Sequence, residues 1–247
     1  MASTDQYIDT DCKLLLHCNG SDASTTFTDS EINTAKTMTA IGNAQIDTGQ
    51  SKFGGAAYQG DGTGDGLTTP YSTDFNLGTS GPGNDFTIDF WVRFNGSPTD
   101  CYLVGNTDGS SNGWNIEYSS GALYVLTGSG TSRNVSWSPS ADTWYHIAMV
   151  RSSTIVTIYA AGTSLGTISD GDFSLDSLTM SVAYREATGI SSLNGWMDEV
   201  RIVKGTAVWT SDFTPPTVEY APTPTVSTIY LKGRSRNRAV FTGVSLG

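Results

Sequence analysis

The segment Asp85–Phe94 carries three side chains with binding chemistry. Its polar and apolar residues alternate, so a strand here would turn Asp89, Trp91 and Arg93 to the face opposite the core. A flat indole ring between a carboxylate and a guanidinium offers the stacking surface and hydrogen bonds that a sugar ring needs. We interpret these three residues as a candidate ligand-binding face. The alternative is that Trp91 packs against a neighbouring strand or a covering loop.

Basic residues are concentrated at the end of the chain. Lys232, Arg234, Arg236 and Arg238 are each two positions apart, so one extended segment over 228–241 would project all four from a single face. Residues 222–247 contain no acid, whereas residues 1–221 hold 24 acidic against 9 basic side chains. We expect 222–247 to be an assembly arm that adds to a sheet of another subunit and makes the protein a homo-oligomer. A solvated basic tail is the alternative.

Composition limits the classes of partner. A net charge of −11 and a pI of about 4.4 argue against a broad nucleic-acid surface. No stretch is long and apolar enough to predict a membrane partner, and the first residues lack the basic and apolar regions of a signal peptide. Three cysteines, Cys12, Cys18 and Cys101, cannot form a closed disulfide framework, and we expect buried or free thiols.

The spacing of the strands predicts an all-β fold. Short apolar runs separated by turn residues are typical of a two-sheet antiparallel β-sandwich in one domain. We expect a short N-terminal arm at 1–12, the sandwich at 13–221, and the extended C-terminal arm at 222–247. The predicted central strands lie at about 85–94, 101–106, 114–118, 122–127, 133–137, 144–151, 154–160, 164–168, 178–184 and 194–203.

Three separated segments indicate a family. Phe53–Tyr58, Asp85–Phe94 and Leu193–Ile202, with Asp142–Arg151 between the last two, resemble the laminin-G-like, concanavalin A-like jelly rolls in residue pattern and order. The resemblance implies binding of glycans or proteins, and in some branches cleavage of polysaccharides. The opening loop Asn19–Ser30 resembles that of laminin-G-like domains in phage and bacterial surface proteins.

Catalysis is not expected. A glycoside hydrolase needs two carboxylates about 5–10 Å apart, and in the glucanases that the chain resembles they come from a Glu-x-Asp-x-Glu type of strand. The five glutamates here do not form that pattern. Asp198 and Glu199 are neighbours, and because successive strand residues face opposite sides we expect that they cannot share a substrate. We predict a protein that is not an enzyme.

Calcium is the one cofactor that the resemblance implies. Members of the superfamily often hold a structural ion between the first loop and an Asp of the terminal strand, which corresponds here to Asp198 with Asn19 and Asp22. The alternative is that Asp198 only accepts backbone hydrogen bonds at a strand bulge.

The expected function is a non-catalytic virion protein of a bacteriophage, in the decoration of the head or in the tail or a fibre. Assembly in the host cytoplasm needs no signal peptide. Its partners would be other virion proteins and, in addition, glycans. The alternatives are a bacterial surface lectin-like module and, from another class, a β-glucan hydrolase.

Overall fold

The computed structural model describes residues 7–8, 10–106, 113–128, 131–174, 177–185, 192–222, 226–229 and 241–244. These residues form strands and turns, with a short 3₁₀ turn at Thr73–Phe75. No helix in these ranges has the length and apolar character that a membrane span requires. The strands are β1 (Tyr7–Ile8), β2 (Cys12–Leu16), β3 (Thr39–Ile41), β4 (Gln45–Asp47), β5 (Ala57–Asp61), β6 (Gly66–Thr69), β7 (Phe86–Phe94), β8 (Cys101–Gly105), β9 (Asn115–Ser119), β10 (Ala122–Thr127), β11 (Thr131–Ser136), β12 (Trp144–Ser152), β13 (Ile155–Ala160), β14 (Thr163–Ser169), β15 (Met180–Val182), β16 (Asn194–Lys204), β17 (Ala221–Pro222), β18 (Val226–Ile229) and β19 (Phe241–Val244).

Two antiparallel sheets form the predicted sandwich. The seven-stranded sheet has the order β11-β10-β9-β8-β15-β6-β3. The eight-stranded sheet has the order β14-β13-β12-β7-β16-β5-β4, and β2 pairs with β16 beside this path. Each predicted central strand appears in one of these sheets within a few residues of its expected bounds.

The core lies between the sheets and follows the alternation of the sequence. Phe86, Ile88, Phe90, Val92 and Phe94 of β7 all point into it, as predicted. Residues of β8–β11 face them from the other sheet, so the apolar face of each strand is removed from water. The three cysteines are buried free thiols.

The segment 206–220 covers the outer face of the eight-stranded sheet, and we call it the covering segment. Trp209 and Phe213 of this segment stack with ring centroids 4.1 Å apart. With Ala207 and Val208 they pack on Ala148, Val150 and Tyr159, which are outward-facing residues of β12 and β13. Tyr220 packs on Cys12 and Leu15. The outer face of this sheet is therefore a second buried layer.

The two ends of the chain differ from expectation. β1 pairs in parallel with β17, so Tyr7 in the predicted N-terminal arm lies opposite Ala221. β18 pairs antiparallel with β19, with Ile229 opposite Phe241. One extended segment over 228–241 is therefore wrong, because residues of a single continuous strand cannot pair with each other. Lys232, Arg234, Arg236 and Arg238 lie outside the described residues.

Candidate functional site

The structure places Asp89 inside the protein. Its carboxylate accepts a hydrogen bond from Arg201 Nε at 2.9 Å and another from the Tyr220 hydroxyl, and it lies 3.4 Å from His146 Nε2. Asp89 is fully buried, and Arg201 is nearly so. Burial alone would raise the pKa of Asp89, but the charge of Arg201 and the hydrogen bonds hold it below its usual value. Asp89 therefore belongs to a buried ion pair, and the expectation that it contacts a ligand needs correction.

Trp91 is also covered, and Arg93 is only partly accessible. Phe53 and His146 contact the Trp91 ring edge-on, and Lys52 Nζ lies 3.9 Å from its centroid. Only 6% of Trp91 is exposed. Arg93 pairs with Asp142 at 3.2 Å. The predicted sugar-binding face thus corresponds to the covered face of the eight-stranded sheet, and the packing alternative describes Trp91 correctly.

The seven-stranded sheet instead carries a polar row across its outer face. Register places Tyr102 of β8 opposite Glu117 of β9, Glu117 opposite Tyr124 of β10, and Tyr124 opposite Asn134 of β11. The strand neighbours of Tyr102, Glu117 and Tyr124 belong to the core, as does Val135 beside Asn134, so these four residues face away from the core. With strands about 4.8 Å apart, the row spans roughly 15 Å. We call these four residues the polar row.

Accessibility and hydrogen bonding suit the polar row to a ligand. Glu117 and Tyr124 are half-buried, and Asn134 is exposed. Tyr102, at the β8 end of the row, is buried, so the accessible part of the row is Glu117, Tyr124 and Asn134. The side chain of Asn115, which is itself buried, donates a hydrogen bond to Glu117 Oε2 at 3.1 Å and so fixes the carboxylate. Glu117 is the only acidic residue in the strands of the seven-stranded sheet as the structure describes them.

A tight turn produces the central pair of this row. Ser119 pairs with Ala122, which leaves Ser120 and Gly121 as a two-residue turn with φ values of 49° and 80°. Positive φ at both positions is the geometry of a type I′ hairpin, whose length fixes the register of the two strands. Glu117 and Tyr124 were missed in the sequence, although this Ser-Gly turn between two predicted strands was the signal for their pairing.

A second polar cluster lies beside the covering segment. His17, Glu199 and Glu219 have ligand atoms within 4.8 Å of one another, and theirs is the one such group among the described His, Cys, Asp and Glu side chains. His17 Nδ1 and Glu199 Oε1 are 2.5 Å apart. Glu199 Oε2 accepts from the Tyr220 amide at 2.7 Å, and Glu219 Oε1 accepts from Asn19 Nδ2 at 2.7 Å. We call these three residues the His-Glu cluster.

A β-bulge in β16 creates this cluster. Met197 and Val200 both point into the core, so Asp198 and Glu199 together occupy the place that regular alternation gives to a single outward residue. Glu199 has a φ of 51°, and the register with β7 shifts between Asp198 and Arg201. The expectation that Asp198 and Glu199 face opposite sides is therefore wrong, because it assumed a regular strand.

Burial and charge act together on the cluster. Burial alone would lower the pKa of His17, but the hydrogen bond and charge of Glu199, together with the charges of Glu219 and Asp198, raise it. Burial raises the pKa of Glu199, and His17 opposes that rise. For Asp198, burial raises the pKa to about 8. Three carboxyl groups thus lie close to one imidazole.

The predicted calcium ligands are only partly brought together. Asp198 Oδ2 accepts from the amides of Lys52 and Phe53 at 2.9 and 3.0 Å, while its buried Oδ1 has no hydrogen-bond partner. Asn19 contacts Glu219 of the His-Glu cluster. Asp22 Oδ1 instead accepts from the amide and hydroxyl of Thr48.

An open pocket of about 460 Å³ adjoins the His-Glu cluster. It is lined by Phe53, Gly54 and residues 217–221, and so includes Glu219. Gly54 has a φ of +58°, and a Cβ there would lie 2.1 Å from Glu219 Oε1 and 1.9 Å from Asn19 Oδ1. Glycine is therefore required for Glu219 and Asn19 to approach this turn.

Sequence comparison identifies one family match. Residues 61–209 match the family model described as the concanavalin A-like lectin/glucanases superfamily. A comparison with curated protein sequences found no match.

Several solved structures share the fold. The binding domain of botulinum neurotoxin DC in complex with SialylT superposes with a TM-score of 0.57 at 14% identity, covering 79% of this chain and 48% of that one. The botulinum neurotoxin serotype D binding domain gives 0.58 at 11% identity, covering 81% and 48%. A structure of botulinum neurotoxin type C, whose cell entry depends on interaction with two ganglioside molecules, gives 0.55 at 14% identity, covering 78% and 47%. The chain thus spans about half the length of these structures.

Proposed function

Because the chain belongs to the concanavalin A-like lectin/glucanase superfamily, we propose that it is a module that binds glycans without cleaving them. The observation that carries this proposal is the accessible part of the polar row, Glu117, Tyr124 and Asn134, on the outer face of the seven-stranded sheet. On the other sheet, the covering segment occupies the outer face of β12 and β13.

The chemistry of the row suits a sugar. A half-buried tyrosine supplies a flat apolar ring with a hydroxyl, and the carboxylate and amide on either side accept and donate hydrogen bonds to hydroxyl groups. Asn115 holds the Glu117 carboxylate, so little side-chain entropy is lost when a ligand binds. Two of the similar neurotoxin structures, one in complex with SialylT and one whose cell entry depends on two ganglioside molecules, support a glycan as the ligand class.

A glycan array with the full chain tests this proposal. Glu117→Gln and Tyr124→Ala should each weaken binding of any captured glycan by about tenfold, since losing one charged hydrogen bond or one aromatic contact costs about 1–2 kcal/mol. Tyr71→Ala is the control, because Tyr71 is 44% exposed and lies outside the strands of the row. Binding that survives both row variants would place the glycan elsewhere and contradict the proposal.

The absence of catalysis is part of the same proposal. A hydrolase needs two carboxylates across the scissile bond, and the strands of the seven-stranded sheet supply only Glu117 within the described chain. We expect no new reducing ends from β-glucans or alginates. Turnover that Glu117→Gln abolishes would instead establish the hydrolase alternative.

We propose a bacteriophage particle as the setting, with the protein attached to other virion proteins. The support is the likeness of the opening loop Asn19–Ser30 to phage and bacterial surface domains, together with the basic residues at 232–238. Mass spectrometry of purified virions tests this setting. Recovery of the protein from a bacterial envelope, and not from particles, would favour the surface lectin-like alternative.

We also propose a structural calcium ion held by Asp198 with the opening loop residues Asn19 and Asp22. The buried Asp198 Oδ1 without a hydrogen-bond partner supports this, because an oxygen-seeking cation would satisfy it. An ion that binds only the folded state raises the melting temperature. Calcium should therefore raise it in the natural protein and leave that of Asp198→Asn unchanged.

A further inference from the structure

We propose that His17, Glu199 and Glu219 bind a divalent transition-metal cation of the zinc and manganese class at the edge of the covering segment. This site is independent of the polar row and uses a different ligand set from the proposed calcium ion. Its three ligands come from three separate parts of the chain: the end of β2, the bulge of β16 and the end of the covering segment.

The fold brings these ligands together. Leu16 of β2 pairs with Val200 of β16, so the next residue, His17, lies beside Glu199. Tyr220 is held by Arg201, which lies 3.7 Å from its ring centroid, and by the hydrogen bond from its amide to Glu199. That contact places the preceding residue, Glu219, at the same cluster.

The distances suit a cation after a small adjustment. Ligand atoms of a tetrahedral zinc ion, each about 2.1 Å from the metal, lie about 3.4 Å apart. The three atoms here are within 4.8 Å of one another, and His17 Nδ1 and Glu199 Oε1 are 2.5 Å apart. The cation would replace the proton between His17 and Glu199, so binding would release that proton to solvent.

The donor set decides the class of metal. Calcium and magnesium take oxygen ligands, whereas an imidazole with carboxylates suits zinc, manganese and related ions. The hydrogen bond from Asn19 and the contacts of the adjacent Tyr220 hold Glu219 beside His17 and Glu199, so the three ligands are positioned together by the fold. The pocket beside Glu219 also favours a cation, because it has room for water ligands.

The test uses the full chain after treatment with a chelator. Zinc or manganese at a hundredfold excess over its Kd should raise the melting temperature by roughly 5–10 °C. Titration calorimetry in buffers of different ionisation enthalpy should show proton release, and cobalt substituted for zinc should give visible absorption bands. Glu219→Gln and His17→Gln should abolish all three signals. Asp22→Asn is the matched control and should retain them, because Asp22 contacts Thr48 instead.

Specific outcomes would overturn the proposal. They are a melting temperature that no transition metal changes, a shift that persists in both cluster variants, and a shift seen with calcium alone that Asp22→Asn removes. If His17→Gln does not fold, Glu219→Gln decides, because Glu219 is half-buried at the surface. Glycan binding by the polar row is measured separately, so failure of the metal site leaves that function untouched, and the reverse also holds.

Discussion

Replacing Asp89 with asparagine tests whether this residue belongs to a buried ion pair or contacts a ligand. Asp89 and Arg201 are at most 1% exposed, and the Nε–Oδ2 distance is 2.9 Å. Removing one charge of such a pair leaves the other buried and uncompensated, which costs about 3–5 kcal/mol. For a chain of this length that lowers the melting temperature by roughly 6–20 °C.

The dependence on pH provides a second signature. The pKa of Asp89 is lower in the folded protein than in the unfolded chain, because Arg201 and the hydrogen bonds outweigh the effect of burial. A lowered folded pKa stabilises the protein above the unfolded pKa, and this stabilisation is lost as the pH falls through the folded pKa. The natural protein should therefore lose this contribution in acid below about pH 4, whereas Asp89→Asn should not.

Urea unfolding and thermal melting measure both effects. Arg93→Gln is the matched control, since Arg93 lies on the same face of β7 and pairs with Asp142, whose side chain is 54% exposed. The pair with Asp142 and the contact of Arg93 with the Trp196 ring, at 4.7 Å, each contribute about 1 kcal/mol or less, so this variant should lose clearly less stability than Asp89→Asn. A stable Asp89→Asn variant with weakened glycan binding would refute the buried arrangement and restore Asp89 as a ligand contact.

Three further outcomes are expected. Gly54→Ala should lower the free energy of unfolding by at least about 1–2 kcal/mol in urea, because φ is +58° and the added Cβ would meet Glu219. Trp209→Ala should lower the free energy of unfolding by about 3–5 kcal/mol in the same assay, because the indole ring that packs on His146 is lost. Deleting 222–247 should leave thermal melting nearly unchanged but abolish assembly into an oligomer or particle, as measured by light scattering; normal assembly would contradict the proposed arm.

The strands could be predicted because their signal is local. Alternation along Asp85–Phe94 correctly assigned the five apolar residues to the core, and turn residues located the hairpins. Packing against a facing sheet requires only that one side of each strand be apolar, and the sequence carries that pattern directly.

The site could not be predicted in the same way, because it depends on contacts between distant segments. The residues of β7 that point away from the core are not exposed. The covering segment, which follows more than one hundred residues later in the chain, packs across that face of the sheet. The bulge at Glu199 likewise shifts one residue out of alternation, and a positive φ at a glutamate has no local sequence signal.

The two outer faces explain why similar residues on different strands have different roles. On β7, Asp89 lies opposite Ala148, whose apolar surface is covered by Trp209 and Phe213, and Trp91 lies opposite His146 and against Phe53. Glu117 and Tyr124 instead lie beside Asn134 and near Ser132 on β11, where the outward residues are exposed and polar. Among these described residues, water reaches Glu117, Tyr124 and Asn134 but is excluded from Asp89 and almost entirely from Trp91, so a ligand has access to the polar row and not to 89–91.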